Sequence, residues 1–186
     1  MTVRACLDDG IERGPIRLRL VTREDAGFVY SLRSDSNLNR YLSPVDGSID
    51  TQRDWIDRYK LREAEAQEYY FVIERAVDRI PCGLVRLYGM TPPRFTWGSW
   101  ILAPNKPHLG ALASALLSFE IGFERLGNAV ADIDVRRDNE HAIAFYRRLG
   151  MNKVGQDPEN LYFEYLGTTF SRDKAELWRH VLGAAK

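Results

Sequence analysis

Between positions 105 and 127 the chain reads NKPHLGALASALLSFEIGFERLG. A proline-containing loop runs into a helix-periodic segment, and the junction is built from small residues: Gly110, Ala111, Ala113 and Ser114. No Lys or Arg stands between positions 107 and 115. The first turn of a helix leaves backbone N–H groups without intrahelical partners and carries a partial positive charge. Such a helix start holds a phosphate or pyrophosphate through backbone amides alone, and small side chains let the anion come close. The amides of Leu109, Gly110, Ala111, Leu112, Ala113 and Ser114 are the candidate donors, and the Ser114 hydroxyl can add to them. Tight helix–sheet packing selects the same small residues, and the junction by itself favours that reading.

A second segment, DNEHAIAFYRRLGM at 138–151, places a phenol and a side-chain amide one short helix apart. Asp138 or Asn139 opens that helix and Gly150 stops it. A proton donor such as the Tyr146 phenol, held against a departing group, assists its departure by roughly 10²–10⁴-fold. Helix periodicity alone favours Tyr146 as a half-buried packing residue beside Phe145.

Composition bounds what such groups serve. Lys+Arg and Asp+Glu both number 26 in 186 residues, so net charge makes no case for a nucleic-acid or membrane-surface partner. No apolar run approaches the ~18–20 residues of a membrane span. The N-terminus, MTVRACLDDGIERG, lacks the apolar core of a signal peptide. Cys6 and Cys82 fit no metal spacing, and His108, His141 and His180 form no ligand cluster, so no metal site is expected. The expected setting is a reducing cytoplasm. The length suits one domain, 1–186, with a core over about 15–170 and a C-terminal helix over about 171–183.

The elements that position these residues follow from periodicity. Alternation over 15–22 predicts a half-buried strand. Thr22 with Asp25 then opens a helix carrying Phe28, Val29 and Leu32 inward. Pro, Gly and Ser make 40–50 a loop, and a second helix over 51–67 carries Trp55, Ile56 and Tyr59 on one face. Segments 68–76, 80–90 and 94–104 read as three strands in a meander. Leu112, Leu116, Phe119, Phe123 and Leu126 form one helical stripe, which Gly127 ends. Strands are predicted over 128–137, 151–157 and 160–170. The order predicts a mixed α/β (α+β) domain: a single mixed, mostly antiparallel sheet with helices on both faces.

This order, with Asn139, Ala142, Phe145, Tyr146, Gly150 and Met151 matching N-x-x-A-x-x-F/Y-Y-x-x-x-G-F/M, resembles the GNAT superfamily of acetyl-CoA-dependent N-acetyltransferases. A second match is GLVRLYGMTPPRFTWGSWILAP followed by the helix start, similar to the family's third and fourth strands and coenzyme A loop. The resemblance covers roughly 16–170. Three positions depart from the family pattern. His108 and Ala111 stand where the phosphate loop usually has Gln or Arg and Gly, and Thr96 stands where many relatives place a catalytic Glu.

The resemblance implies acetyl-CoA as cofactor, held at the helix start and along the strand edge at Trp100, Ile101 and Leu102. In that frame Tyr146 protonates the leaving thiolate and Asn139 contacts the pantetheine arm; capping of the helix by Asn139 stays open beside that role, with Asp138 slightly ahead as the cap. The general base is unassigned: Asp132, Asp134, Glu164 and Glu68 are candidates, each more often a solvated carboxylate than a base, and water or a backbone carbonyl is the alternative. The acceptor implied is a small primary amine, first an amino sugar or nucleotide-linked amino sugar. Acetylation of protein N-termini and non-catalytic acyl-CoA binding are the rival readings. Tyr41, Trp55, Tyr59, Tyr69, Tyr70, Tyr88, Trp97, Tyr162 and Tyr165 are candidate acceptor-pocket aromatics, with Arg86, Arg136 and Arg137 available for phosphate or carboxylate.

Overall fold

The computed structural model describes residues 7–42 and 47–183. Cys6 and positions 43–46 of the expected loop lie outside the described residues. Eight strands form one sheet in the order β1-β2-β3-β4-β5-β6-β8-β7. They are β1 (Ile11–Arg13), β2 (Ile16–Leu20), β3 (Tyr69–Arg75), β4 (Pro81–Thr91), β5 (Arg94–Leu102), β6 (Val130–Arg136), β7 (Asn152–Gln156) and β8 (Asn160–Leu166). Every neighbouring pair is antiparallel except β5 and β6, which run parallel. A parallel pair needs a crossover, and α3 (Gly110–Glu120) with its π-helical extension Ile121–Arg125 supplies it. The other helices are α1 (Ala26–Ser34), α2 (Ile49–Ala64), α4 (Glu140–Arg148) and α5 (Gly167–Gly183).

The two faces of the sheet carry separate cores. Tyr69, Phe71 and Ile73 of β3 join one cluster with Phe119 of α3 and Trp178 of α5. Tyr70 and Val72 join the other, with Val29 of α1 and Ile56 of α2. This is the period-two alternation of a strand buried on both faces. Phe119 stacks on Trp97 at 5.0 Å and meets the Tyr165 ring edge-on at 5.0 Å. Truncating such a ring to Ala costs about 3–5 kcal/mol. Gly122 follows from the same packing, because a Cβ there would lie 2.2 Å from the Phe95 ring.

Four expectations are corrected. The sequence reading begins the sheet at 15–22, but Ile11–Arg13 adds a short edge strand, turned by Gly14 at φ +62°. The second helix starts at Ile49, not 51, because Ser48 caps it by accepting the Thr51 N–H. The last strand stops at Leu166 instead of 170, and Gly167 opens α5. The helix wins there because it carries Phe170 into the aromatic cluster, 5.4 Å from Phe123. The cap of α4 is Asn139, whose side chain accepts the Ala142 N–H at 3.2 Å, and not Asp138.

Candidate active site

Strands β5 and β6 stay in register over only three pairs, the last being Thr96 with Asp132. Beyond Thr96 they part. The opening is a cleft of about 700 Å³. Its wall contains Trp100, Ile101, Leu102, Ala111, Asn139 and Tyr146, so residues from β5, α3 and α4 meet in one place. A β-bulge sharpens the parting. Leu84 pairs with Ile101 but Arg86 with Gly98, so β5 carries one extra residue between them, and Ser99 sits at φ +49°. The β5 backbone facing the gap has no β6 rung past Thr96, an edge that a bound chain can complete.

Of the start of α3, Ala111 lines the cleft, and just before it Leu109 takes the left-handed conformation, φ 54° and ψ 12°, and turns the loop into the helix. The Gly110 N–H donates to Pro107 O at 2.9 Å, and the Ala113 N–H to Leu109 O at 2.9 Å. Those two amides are therefore taken, and the first-turn donors without a helical acceptor are Ala111 and Leu112. Ala111 lies within the helix, so no left-handed glycine is needed at its position. The Ser114 hydroxyl is not an anion donor. It is fully buried, donates to Ala111 O at 3.0 Å and accepts the Trp100 indole N–H at 3.2 Å.

Tyr146 is 5% exposed. Its ring is boxed edge-on by Trp97 at 6.0 Å and Phe163 at 5.8 Å. Burial first, and the charge of Asp134 second, push its phenol above the ordinary tyrosine range, so it is a proton donor throughout the neutral range. Asn139 Oδ1 is used by the cap, its Nδ2 has no partner among the described residues, and the residue lines the same cleft.

The base candidates separate. Asp132 and Glu164 both bind Arg94, and Glu68 is buried between Arg62 and Arg86. Only Asp134 of the four lines the cleft. The aromatic candidates separate as well. Tyr41, Tyr88 and Trp97 line the cleft, whereas Tyr59, Tyr69, Tyr70 and Tyr165 are core. Tyr59 donates to Glu63, and the Tyr70 N–H donates to the Tyr59 hydroxyl at 2.8 Å. Trp55 stacks on Tyr59 at 5.8 Å, away from the cleft, and Tyr162 donates to Asp157.

Sequence reasoning missed several lining residues: Arg33, Asn37 and Leu38 from the end of α1 and the turn beyond it, and His141 and Arg148 from α4. His141 had a signal, since it lies between Asn139 and Ala142 of the quoted pattern. Beside the cleft, Arg40, Arg136 and Arg137 surround a second hollow of about 370 Å³ that shares Tyr41 with it. No group of three His, Cys, Asp or Glu able to hold a metal occurs among the described residues, and no helix among them is long and apolar enough to cross a membrane.

A mixed sheet whose two parallel strands part over a helix N-terminus, with a tyrosine in the gap, is the architecture of an acyltransferase. The acetyltransferase (GNAT) domain model matches residues 16–152, and the chain therefore belongs to the GNAT acetyltransferases, enzymes that move the acetyl group of acetyl-CoA to an amine. Among solved structures, apo FdhC, a nucleotide-linked sugar GNAT, superposes with a TM-score of 0.86 at 37% identity, over 92% of this chain and 98% of that one. The spermidine N-acetyltransferase of Vibrio cholerae in complex with CoA and spermine gives a TM-score of 0.73 at 20% identity, over 84% and 98%. In sequence, the spermidine N(1)-acetyltransferase of Escherichia coli (strain K12) is 28% identical over 145 residues, 76% of this chain and 75% of that protein.

Proposed function

We propose that this enzyme acetylates the amine of a nucleotide-linked amino sugar, with Tyr146 as general acid. The observation that carries the acceptor class is the charge of the cleft. Its wall holds Arg33, Arg136 and Arg148 against Asp134 and Glu159, the last paired with Arg136, and the adjoining hollow adds Arg40 and Arg137 against Asp138, so guanidinium groups exceed carboxylates. A polyamine carries several positive charges and needs carboxylates in excess. A sugar on a nucleoside diphosphate brings phosphates for guanidinium groups and ring faces for Tyr41 and Tyr88. The likeness to a nucleotide-linked sugar GNAT, along nearly the whole of both chains, supports the same class.

The residues present fit acetyl-CoA, which supplies a thioester-activated acetyl group when bound. The unpaired β5 edge at Trp100, Ile101 and Leu102 takes the amide-bearing arm as a sheet takes an added strand. The Ala111 and Leu112 N–H groups, at the positive end of α3, hold the pyrophosphate, and Leu109 and Gly110 shape the turn that presents them. Ala113 keeps the helix close to the sheet. Asn139 Nδ2 donates to the arm from the opposite wall. Tyr146 keeps a proton at its phenol oxygen and gives it to the departing sulfur, while the surrounding rings exclude water. The His108 and Ala111 departures leave this binding mode intact, because it uses backbone groups. We place the reaction in the cytoplasm, where acetyl-CoA and activated sugars are both available.

A product screen by mass spectrometry tests the acceptor class. Acetyl-CoA is incubated with nucleotide-linked 3- and 4-amino sugars, the free sugars, spermidine and a peptide. Acetylation of a nucleotide-linked sugar in preference to the rest is the expected result. Preference for spermidine or for the peptide N-terminus overturns the acceptor class.

A further inference from the structure

The geometry points to Asp134 as the group that takes the proton from the acceptor's ammonium; this rests on the amine-acetylation reading above. The position is set by where the sheet opens. Thr96–Asp132 is the last β5–β6 pair, and Asp134 is the next residue of β6 on the same face, hence the first carboxylate beyond the split. The residue that the same register would set opposite it is Gly98, which contributes no side chain to the gap. A Cβ at Gly98 would lie 3.1 Å from the Tyr88 hydroxyl, so the glycine keeps space open between Tyr88 and Asp134.

The rival carboxylates are committed elsewhere. Asp132 accepts from Arg94 Nε at 3.0 Å, Glu164 binds the same guanidinium, and Glu68 accepts from Arg62 Nε at 2.5 Å and from Arg86. Protonating any of them breaks an ion pair. Asp134 forms no ion pair among the described residues and lines the cleft with Tyr146. The titratable and charged groups that line the cleft with it include Tyr88 from β4, Tyr146, His141 and Arg148 from α4, Arg33 from α1, Arg136 further along β6 and Glu159, and Tyr162 is its cross-strand partner on β8. Burial first and the negative charge of Asp134 second raise the Tyr88 and Tyr146 phenols, and that charge adds a small push to Tyr162 behind that residue's hydrogen bond to Asp157.

The proton step balances. One N–H bond of the ammonium breaks, one O–H bond forms on Asp134, and the nitrogen keeps the electron pair with which it attacks. The ammonium and carboxylate charges are both lost, and Asp134 then releases the proton to solvent. A separate acid, Tyr146, gives its proton to the leaving sulfur, and the second proton that the nitrogen loses on becoming an amide restores the phenol.

The test is the pH profile of kcat/KM for wild type, Asp134→Asn and Asp134→Glu, with a UDP-linked 4-amino sugar as probe. Asp134→Asn is expected to lower kcat/KM by roughly 10²–10⁴-fold at neutral pH. The deficit should shrink as pH rises past the amine's own pKa, where the free base no longer needs an acceptor, and Asp134→Glu should recover part of the rate. Calorimetric acetyl-CoA affinity should not change. Near wild-type turnover in Asp134→Asn, or a deficit constant with pH and confined to KM, overturns the assignment. Failure of the sugar reading shows separately, as wild-type turnover of spermidine and none of the sugar; the same profiles with spermidine then decide on Asp134.

Discussion

The indole N–H of Trp100 donates to the Ser114 hydroxyl across 3.2 Å, tying the unpaired half of β5 to the second turn of α3. One turn further along the helix, Trp97 makes the equivalent bond to Ser118 at 2.8 Å. The strand edge and helix start proposed to hold acetyl-CoA are thus pinned together by two serine hydroxyls. Ser114→Ala leaves the half-buried Trp100 N–H without its partner, at a cost of about 1–3 kcal/mol. A lower thermal midpoint, together with a raised KM for acetyl-CoA, is the expected outcome. An unchanged KM would mean that the bond supports the fold alone.

Ala111→Asp separates stability from binding by sign. A carboxylate in the first turn of α3 complements the helix dipole by about 0.3–1 kcal/mol, so the melting temperature should hold or rise. The same charge stands where the pyrophosphate is proposed to sit and should weaken acetyl-CoA at least tenfold by calorimetry. Unaltered affinity would move the phosphate site away from the start of α3.

Arg136→Ala tests the nucleotide end. A charged hydrogen bond contributes about 1.5–3 kcal/mol, which is on the order of 10–100-fold in affinity. KM for a nucleotide-linked sugar should rise by that factor, while KM for the same sugar without its nucleotide should not. Equal effects on both would place Arg136 outside any phosphate contact.

Tyr146 also makes a pH prediction. Its phenol is raised by burial and by Asp134, so the folded chain binds that proton more tightly than the unfolded chain. That contribution is complete below the ordinary tyrosine value of about 10 and is lost as pH climbs through the folded value. Stability should therefore fall above about pH 10, and tyrosinate absorbance should lag behind that of the denatured chain. Asp134→Asn should bring the Tyr146 titration to lower pH.

Cys82 is buried, and desolvation pushes its thiol up to about 11. At pH 8 the native protein should resist alkylation on the peptide that contains Cys82, and unfolding should expose it. Rapid native labelling would contradict its place in the core.

Local patterns made much of this legible. The stripe from Leu112 to Leu126, the alternation of β3 and the segment at 138–151 carried the element order and put Tyr146, Asn139 and the start of α3 into one cleft. What escaped was tertiary in origin. A three-residue strand, Ile11–Arg13, has no periodicity to detect. Thr168 and Thr169 suited a strand until Phe170 had an aromatic cluster to enter. Ser114 looked like an anion donor because its partner, Trp100, is fourteen residues away. Asp134 was indistinguishable from Asp132 until the strands were seen to part between them.

The most direct test of the account is the rate of Tyr146→Phe under single-turnover conditions, with acetyl-CoA affinity measured on the same protein. The phenol hydroxyl is all that the change removes, and the ring packing on Trp97 and Phe163 is kept. The account predicts a rate lower by roughly 10²–10⁴-fold with acetyl-CoA affinity held. A wild-type rate would contradict Tyr146 as the acid at the leaving sulfur.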